Sequence, residues 1–120
     1  MKTEIANKKL NEIIQKVEKD GVEAKGLIES LKDLRENQAK VEKDPLVTKV
    51  LRLAYEYLEE NKTFGVQAQF EEDEEENEYP IEIEDNENLS YLLTLLLKAD
   101  HKINREEIKD YRNALKEELY

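Results

Sequence analysis

The chain has 120 residues, 30 acidic and 19 basic, for a formal charge of −11; a chain of that length is expected to form one domain, residues 1–120, with a core that needs no staples. The absence of cysteine excludes disulfides, thiolate nucleophiles and zinc–thiolate sites. No tryptophan, three glycines and two prolines point to long regular helices with few loops.

The opening residues, Met1 to Lys9, lack the apolar run of a secretory signal. From Ile5 onward, Ile5, Leu10, Ile13, Ile14 and Val17 recur at helical spacing, and a break is expected at Asp20-Gly21-Val22. Gly21 suits a left-handed position after a helix, with Val17 and Val22 in the two contact sites of a Schellman motif. A second helix follows over about Leu27–Glu42, with Leu27, Leu31, Leu34 and Val41 on one edge and Ile28 widening it. A rival reading takes residues 3–42 as one helix. Leu10, Ile13, Val17, Asp20, Ala24, Leu27, Leu31, Leu34, Gln38 and Val41 form a 3-4 ladder that a coiled-coil homodimer could use. Asp20 in the seam and Gly21 and Gly26 inside the helix, at about 1 kcal/mol for each glycine, favour the broken helix.

Asp44-Pro45 is a restart, with Asp44 as N-cap and Pro45 at the first helical position. The third helix carries Leu46, Val47, Val50, Leu51, Ala54, Tyr57 and Leu58 and fades before Gly65. The period then changes from helical to two. Val66, Ala68 and Phe70 alternate with Gln67 and Gln69, and Tyr79, Ile81 and Ile83 alternate with Pro80, Glu82 and Glu84. An antiparallel pair is expected, with Phe70 opposite Tyr79, Ala68 opposite Ile81 and Val66 opposite Ile83, and with Pro80 turned outward from an edge. Glu71–Glu78 then becomes an eight-residue loop whose packed charges should keep its tip mobile.

A fourth helix opens near Asn86 or Asn88 and runs to about Ala99. Leu89, Tyr91, Leu92, Leu93, Leu95, Leu96 and Leu97 cover nearly every side, which marks it as the centre of the core. That apolar run is far shorter than the roughly 20 residues of a membrane helix, so no membrane contact and a cytoplasmic location are expected. Asn104 with Glu107 resembles a capping box and is expected to start a fifth helix with Ile108, Tyr111, Leu115 and Leu119 on its apolar edge. The expected fold is mainly α: a bundle of about five helices with a small β-hairpin between helices three and four, an acidic insert spanning about 64–86.

The charge is not spread along the chain. No lysine or arginine lies between Lys62 and Lys98, where eleven acids fall: Glu71, Glu72, Asp73, Glu74, Glu75, Glu76, Glu78, Glu82, Glu84, Asp85 and Glu87. The other 19 acids are matched by 19 bases. A neutral scaffold with a −11 insert points to a non-enzymatic interaction module whose acidic loop meets a basic protein surface, in one form an inhibitor or mimic of nucleic acid. Its partner-binding residues are Glu71, Glu72, Asp73, Glu74, Glu75, Glu76 and Glu78, flanked by Phe70 and Tyr79. The alternatives are a self-associating helical protein whose loop only solubilises it, and a loop that collects divalent cations, though it lacks the spaced Asp/Asn and Gly pattern of a calcium loop.

No catalytic residue, metal ligand or cofactor site is assigned. His101 is the sole histidine, Asp100–Tyr111 fails the calcium-loop pattern, and three glycines cannot build a phosphate cradle. Direct nucleic-acid binding is disfavoured, because Phe70 and Tyr79 flank the most negative segment instead of a basic groove.

Overall fold

Three helix boundaries have a clear local cause. The computed structural model describes residues 1–120, 68% of them helical in five helices with a two-stranded antiparallel hairpin. α1 (Glu4–Asp20) starts at Thr3, whose hydroxyl accepts from the Ala6 N–H. It ends at Gly21, where φ is +81° and the Gly21 N–H donates to Val17 O at 2.8 Å. That single bond closes the helix without the second bond of a Schellman motif. α2 begins at Leu27 (Leu27–Leu34) and runs on through a π-helical turn (Arg35–Ala39) and a closing α turn (Lys40–Glu42). Asp44 caps α3 (Pro45–Asn61) by accepting from the Val47 N–H, with Pro45 at the first position. β1 (Phe70–Glu72), β2 (Glu78–Pro80), α4 (Asp85–Leu97) and α5 (Lys102–Leu119) follow.

The break after Asp20 removes the long-helix reading. Leu10, Ile13, Val17, Leu27, Leu31 and Leu34 of the expected seam are buried in the protein's own core, with Ala24 packed against it. Two apolar assignments change. Ile5 is 64% exposed and Ala6 is buried in its place. Val41 is 72% exposed because the π turn inserts an extra residue: after Leu34 the next buried position is Ala39, five residues on, where an α-helix would have presented Gln38.

α3 and α5 run parallel. Asp44 meets Arg105 at one end, and Glu56 meets Tyr120 at the other. α1 runs antiparallel to α4, with Glu18 accepting from the Ser90 hydroxyl near the start of α4. α4 is the most continuously buried helix (Asn88, Leu89, Ser90, Leu92, Leu93, Leu95, Leu96), although Thr94 reaches solvent and Tyr91 and Leu97 are half-buried. α5 starts at Lys102, earlier than the Asn104–Glu107 pattern implies. Asn104 lies in its first turn and donates to Leu95 O, while Glu107 accepts from the Tyr91 hydroxyl at 2.5 Å. Both side chains are occupied across to α4, so no capping box forms.

Residues 64–69 belong to no helix or strand, and Phe64, Val66 and Ala68, at alternate positions, are buried. Their carbonyls need donors. Asn88, itself buried, supplies them: its Nδ2 donates to Phe64 O at 2.9 Å and to Val66 O at 2.8 Å. The Tyr111 hydroxyl donates to Asn88 Oδ1 at 2.6 Å and accepts from Gln69 Nε2 at 2.8 Å. Phe64 stacks on the Tyr111 ring, with centroids 6.5 Å apart.

Two outcomes follow from these contacts. Asn88→Ala takes the side-chain donor from two buried carbonyls and the side-chain acceptor from the Tyr111 O–H and should cost about 3 kcal/mol in urea unfolding, whereas Tyr111→Phe should cost about 1 kcal/mol; equal losses would contradict the hub role of Asn88. Asp44 is held below the ordinary carboxylate range, first by the Arg105 guanidinium, against the opposing effect of burial, with further help from the Val47 N–H. A depressed folded-state pKa stabilises fully above the unfolded value, and the contribution disappears as pH falls through the lower folded value. Asp44→Asn, which keeps the cap, should therefore lose about 1–2 kcal/mol at pH 7. The gap from wild type should close below about pH 4, as read from melts across pH.

Candidate functional site

The hairpin forms one residue out of the expected register. Phe70 pairs with Pro80, Glu71 with Tyr79 and Glu72 with Glu78. The Ile81 N–H donates to Gln69 O at 2.9 Å and the Asp73 N–H to Asn77 O at 3.1 Å, so the same ladder extends both ways. Pro80 falls on a non-hydrogen-bonded position, where its missing N–H is not needed. A slip of one residue moves side chains to the opposite face. Phe70 and Tyr79 are accordingly not partners but lie on opposite faces, 52% and 45% exposed.

The cause of the slip is the turn. The acidic run is not an eight-residue loop: its strands extend into it, and only Glu74, Glu75 and Glu76 lie outside the Asp73–Asn77 closure. Asp73 Oδ1 accepts from the backbone N–H groups of Glu75 and Asn77, each at 2.9 Å, and the Glu76 N–H donates to Asp73 O. The bond from the Asn77 N–H, against an opposing desolvation and with further help from the Glu75 N–H, holds the Asp73 carboxyl below its ordinary range. Glu76 takes the left-handed position with φ +63°, as three-residue hairpin loops require. Charge-assisted bonds inside the loop thus close it against the mutual repulsion of its glutamates.

All nine expected partner-binding residues are exposed: Phe70, Glu71, Glu72, Asp73, Glu74, Glu75, Glu76, Glu78 and Tyr79. None of the eleven acids between Lys62 and Lys98 forms an ion pair; the seven ion pairs all lie within the helical scaffold. Glu72 and Glu78 face each other across the ladder with no base between them, an arrangement that weakens a strand pair.

Beside the hairpin, a groove of about 570 Å³ separates it from α5. Its floor is Ala68, Ile81, Tyr111 and Ala114, and its carboxylates are Glu78, Glu107, Asp110 and Glu117; no lysine or arginine lines it. Burial, then the neighbouring Glu106 and Glu107, pushes the Asp110 carboxyl above its ordinary value. The α5 acids extend the negative surface beyond the hairpin, and sequence reasoning missed them. Glu107, Asp110 and Glu117 do recur at helical spacing beside the apolar edge, but their facing the hairpin depends on the parallel packing of α3 and α5.

His101 is exposed at the start of α5 and its side chain caps nothing. No group of three or more histidine, aspartate or glutamate side chains is arranged to hold a metal ion. No helix is long and apolar enough to cross a membrane. No protein-family model, curated protein or solved structure matches the chain.

Glu76→Gly should relieve the left-handed strain by about 1 kcal/mol. Amide exchange at the Ile81 N–H, which closes the base of the hairpin, should then slow by roughly fivefold. Unchanged or faster exchange would show that the turn does not hold the ladder.

Proposed function

We propose that the chain is a non-enzymatic interaction protein that engages a basic protein surface through its acidic hairpin and the groove beside it. The observation that carries this reading is the set of exposed carboxylates without a single ion pair, on a hydrogen-bonded projection, in a chain whose other charges balance. A partner's lysines and arginines would find charges not already committed to the scaffold. Their alkyl stems could lie on Ala68, Ile81 and Ala114 while their heads reach Glu78, Asp110 and Glu117. Phe70 and Tyr79 offer apolar area beside the charge, a pairing common at interface centres.

The density of charge favours a partner that otherwise binds nucleic acid. From Glu71 to the tip the hairpin spans about four residue rises, roughly 13 Å. Seven acids fall in that span, about one charge per 2 Å, close to the roughly 1.7 Å per charge of duplex DNA. Occupation of a basic nucleic-acid-binding face is therefore the form of the interaction that we favour. The apolar members of the Leu10–Val41 ladder from Leu10 to Leu34 pack in the chain's own core, which supports the hairpin over that ladder as the surface that meets a partner.

Neutralising Glu71, Glu72, Glu74, Glu75 and Glu76 to glutamine, while keeping Asp73 to hold the turn, should lower affinity for a synthetic arginine-rich peptide at least tenfold. It should also flatten the dependence of that affinity on salt. In parallel, the wild-type and neutralised proteins serve as bait in affinity capture from the native cell. Equal peptide affinity and identical captured partners for the two baits would refute the reading.

A further inference from the structure

The opposite end of α3 carries the reverse charge. Where α2 turns into α3, a recess of about 440 Å³ is lined by Arg35, Lys40, Lys43, Lys49 and Arg52, with Asp44, Pro45 and Thr48 completing it. We propose that this recess is an anion site for a compact phosphate group, free or carried on a small molecule.

The recess is built by backbone geometry, not by chance crowding of lysines. The π turn is closed by the Lys40 N–H donating to Arg35 O, five residues back, which brings Lys40 round over Arg35. Arg35 is anchored in place, its Nε donating to Thr48 O at 3.0 Å. Lys43 holds a left-handed conformation, φ +58°, unusual for a residue with a side chain, at the corner between the helices. The charge there is only partly answered. Glu36 serves both Arg35 and Lys40, and Asp44 is held through both oxygens by Arg105. Arg52 Nε is buried with no hydrogen-bond partner, 3.7 Å from Glu56 Oε1. Lys43 and Lys49 join no ion pair. Among the five lining cations Arg35 and Lys40 share Glu36 and Arg52 has only Glu56, so Lys43 and Lys49 keep two positive charges without an ion pair in a chain of net charge −11.

The lining also narrows the class of ligand. Pro45 is the one apolar side chain in the lining, and the positive heads are carried on the alkyl stems of lysines and arginines. Two guanidinium groups among clustered ammonium groups suit a small oxyanion of high charge, since arginine binds phosphate oxygens in pairs. The first N–H groups of α3 are already engaged by Asp44, so the attraction comes from these side chains and not from a helix end.

The test is calorimetric titration of inorganic phosphate and of pyrophosphate into the full chain at fixed chloride concentration, with glycerol phosphate as the carried form. One site is expected, tighter for pyrophosphate, weakening as chloride is raised. The double variant Lys49→Gln with Arg52→Gln should bind at least tenfold more weakly, while the neutralised hairpin binds unchanged. Lys43→Asn, which tolerates the left-handed backbone, with Lys49→Gln provides a second double variant if Arg52→Gln disturbs folding. Absence of heat with all three anions, or wild-type affinity in both double variants, would overturn the proposal. So would salt-sensitive oligomers in sedimentation that vanish when the hairpin is neutralised, because the recess would then be filled by the hairpin of a second copy.

Discussion

The position of the hairpin on this molecule traces to one buried amide. Between α3 and β1 residues 64–69 form neither helix nor strand, yet they bury Phe64 and Val66. A segment without regular structure in that position must find donors for its carbonyls or stay in water. The two N–H bonds of Asn88 meet two of those carbonyls, and its Oδ1 is answered by Tyr111, which in turn receives Gln69. Every member of the chain is satisfied, so low polarity strengthens the network instead of penalising it. The consequence is mechanical: the base of the hairpin is tied at once to α4 and to α5, and its projection from the body is set by bonds that reach the core.

That anchoring separates two tasks within one short chain. The helices use their charges on one another, in seven ion pairs that are mostly exposed and individually weak. Stability comes chiefly from the 30-residue apolar cluster. The hairpin contributes almost nothing to that cluster, since every residue of both strands is exposed. Substitutions there can change charge and shape without touching the core, which is the usual condition of a surface used for recognition.

Much of this was legible in the residues. Asp44-Pro45 and Gly21 are local signals whose physics does not depend on the rest of the fold, and both boundaries formed where the residues pointed. The apolar periods of α3 and α4 were likewise readable because burial acts on whole faces. The misses share one cause: the deciding group lay outside the pattern being read. Alternation in 66–70 and 79–83 identified faces, but Asp73 chose the register by capping its own loop. Helical spacing placed Val41 in the seam, but one extra residue in the π turn passed that place to Ala39. Asn88 looked like a helix start and is instead the hub, because its partners come from 22 to 24 residues away. The α5 carboxylates became part of the site only through parallel packing, which no local pattern encodes.

The hairpin holds several choices that its own stability does not favour. Glu72 faces Glu78 where a single lysine would convert repulsion to attraction. Glu76 occupies a left-handed position where glycine is unstrained. The groove leaves Asp110 among like charges. None of these penalties is large, and salt limits their reach to roughly 8 Å. They are nevertheless concentrated in one place, while the scaffold pairs its charges and fills its core. Local choices that conflict with stability gather where a surface has another use. Cations brought by a partner would relieve the repulsions between carboxylates, and the free energy released would appear in association and not in folding. On that account the weak points of the hairpin and its proposed affinity for a basic surface have the same electrostatic origin.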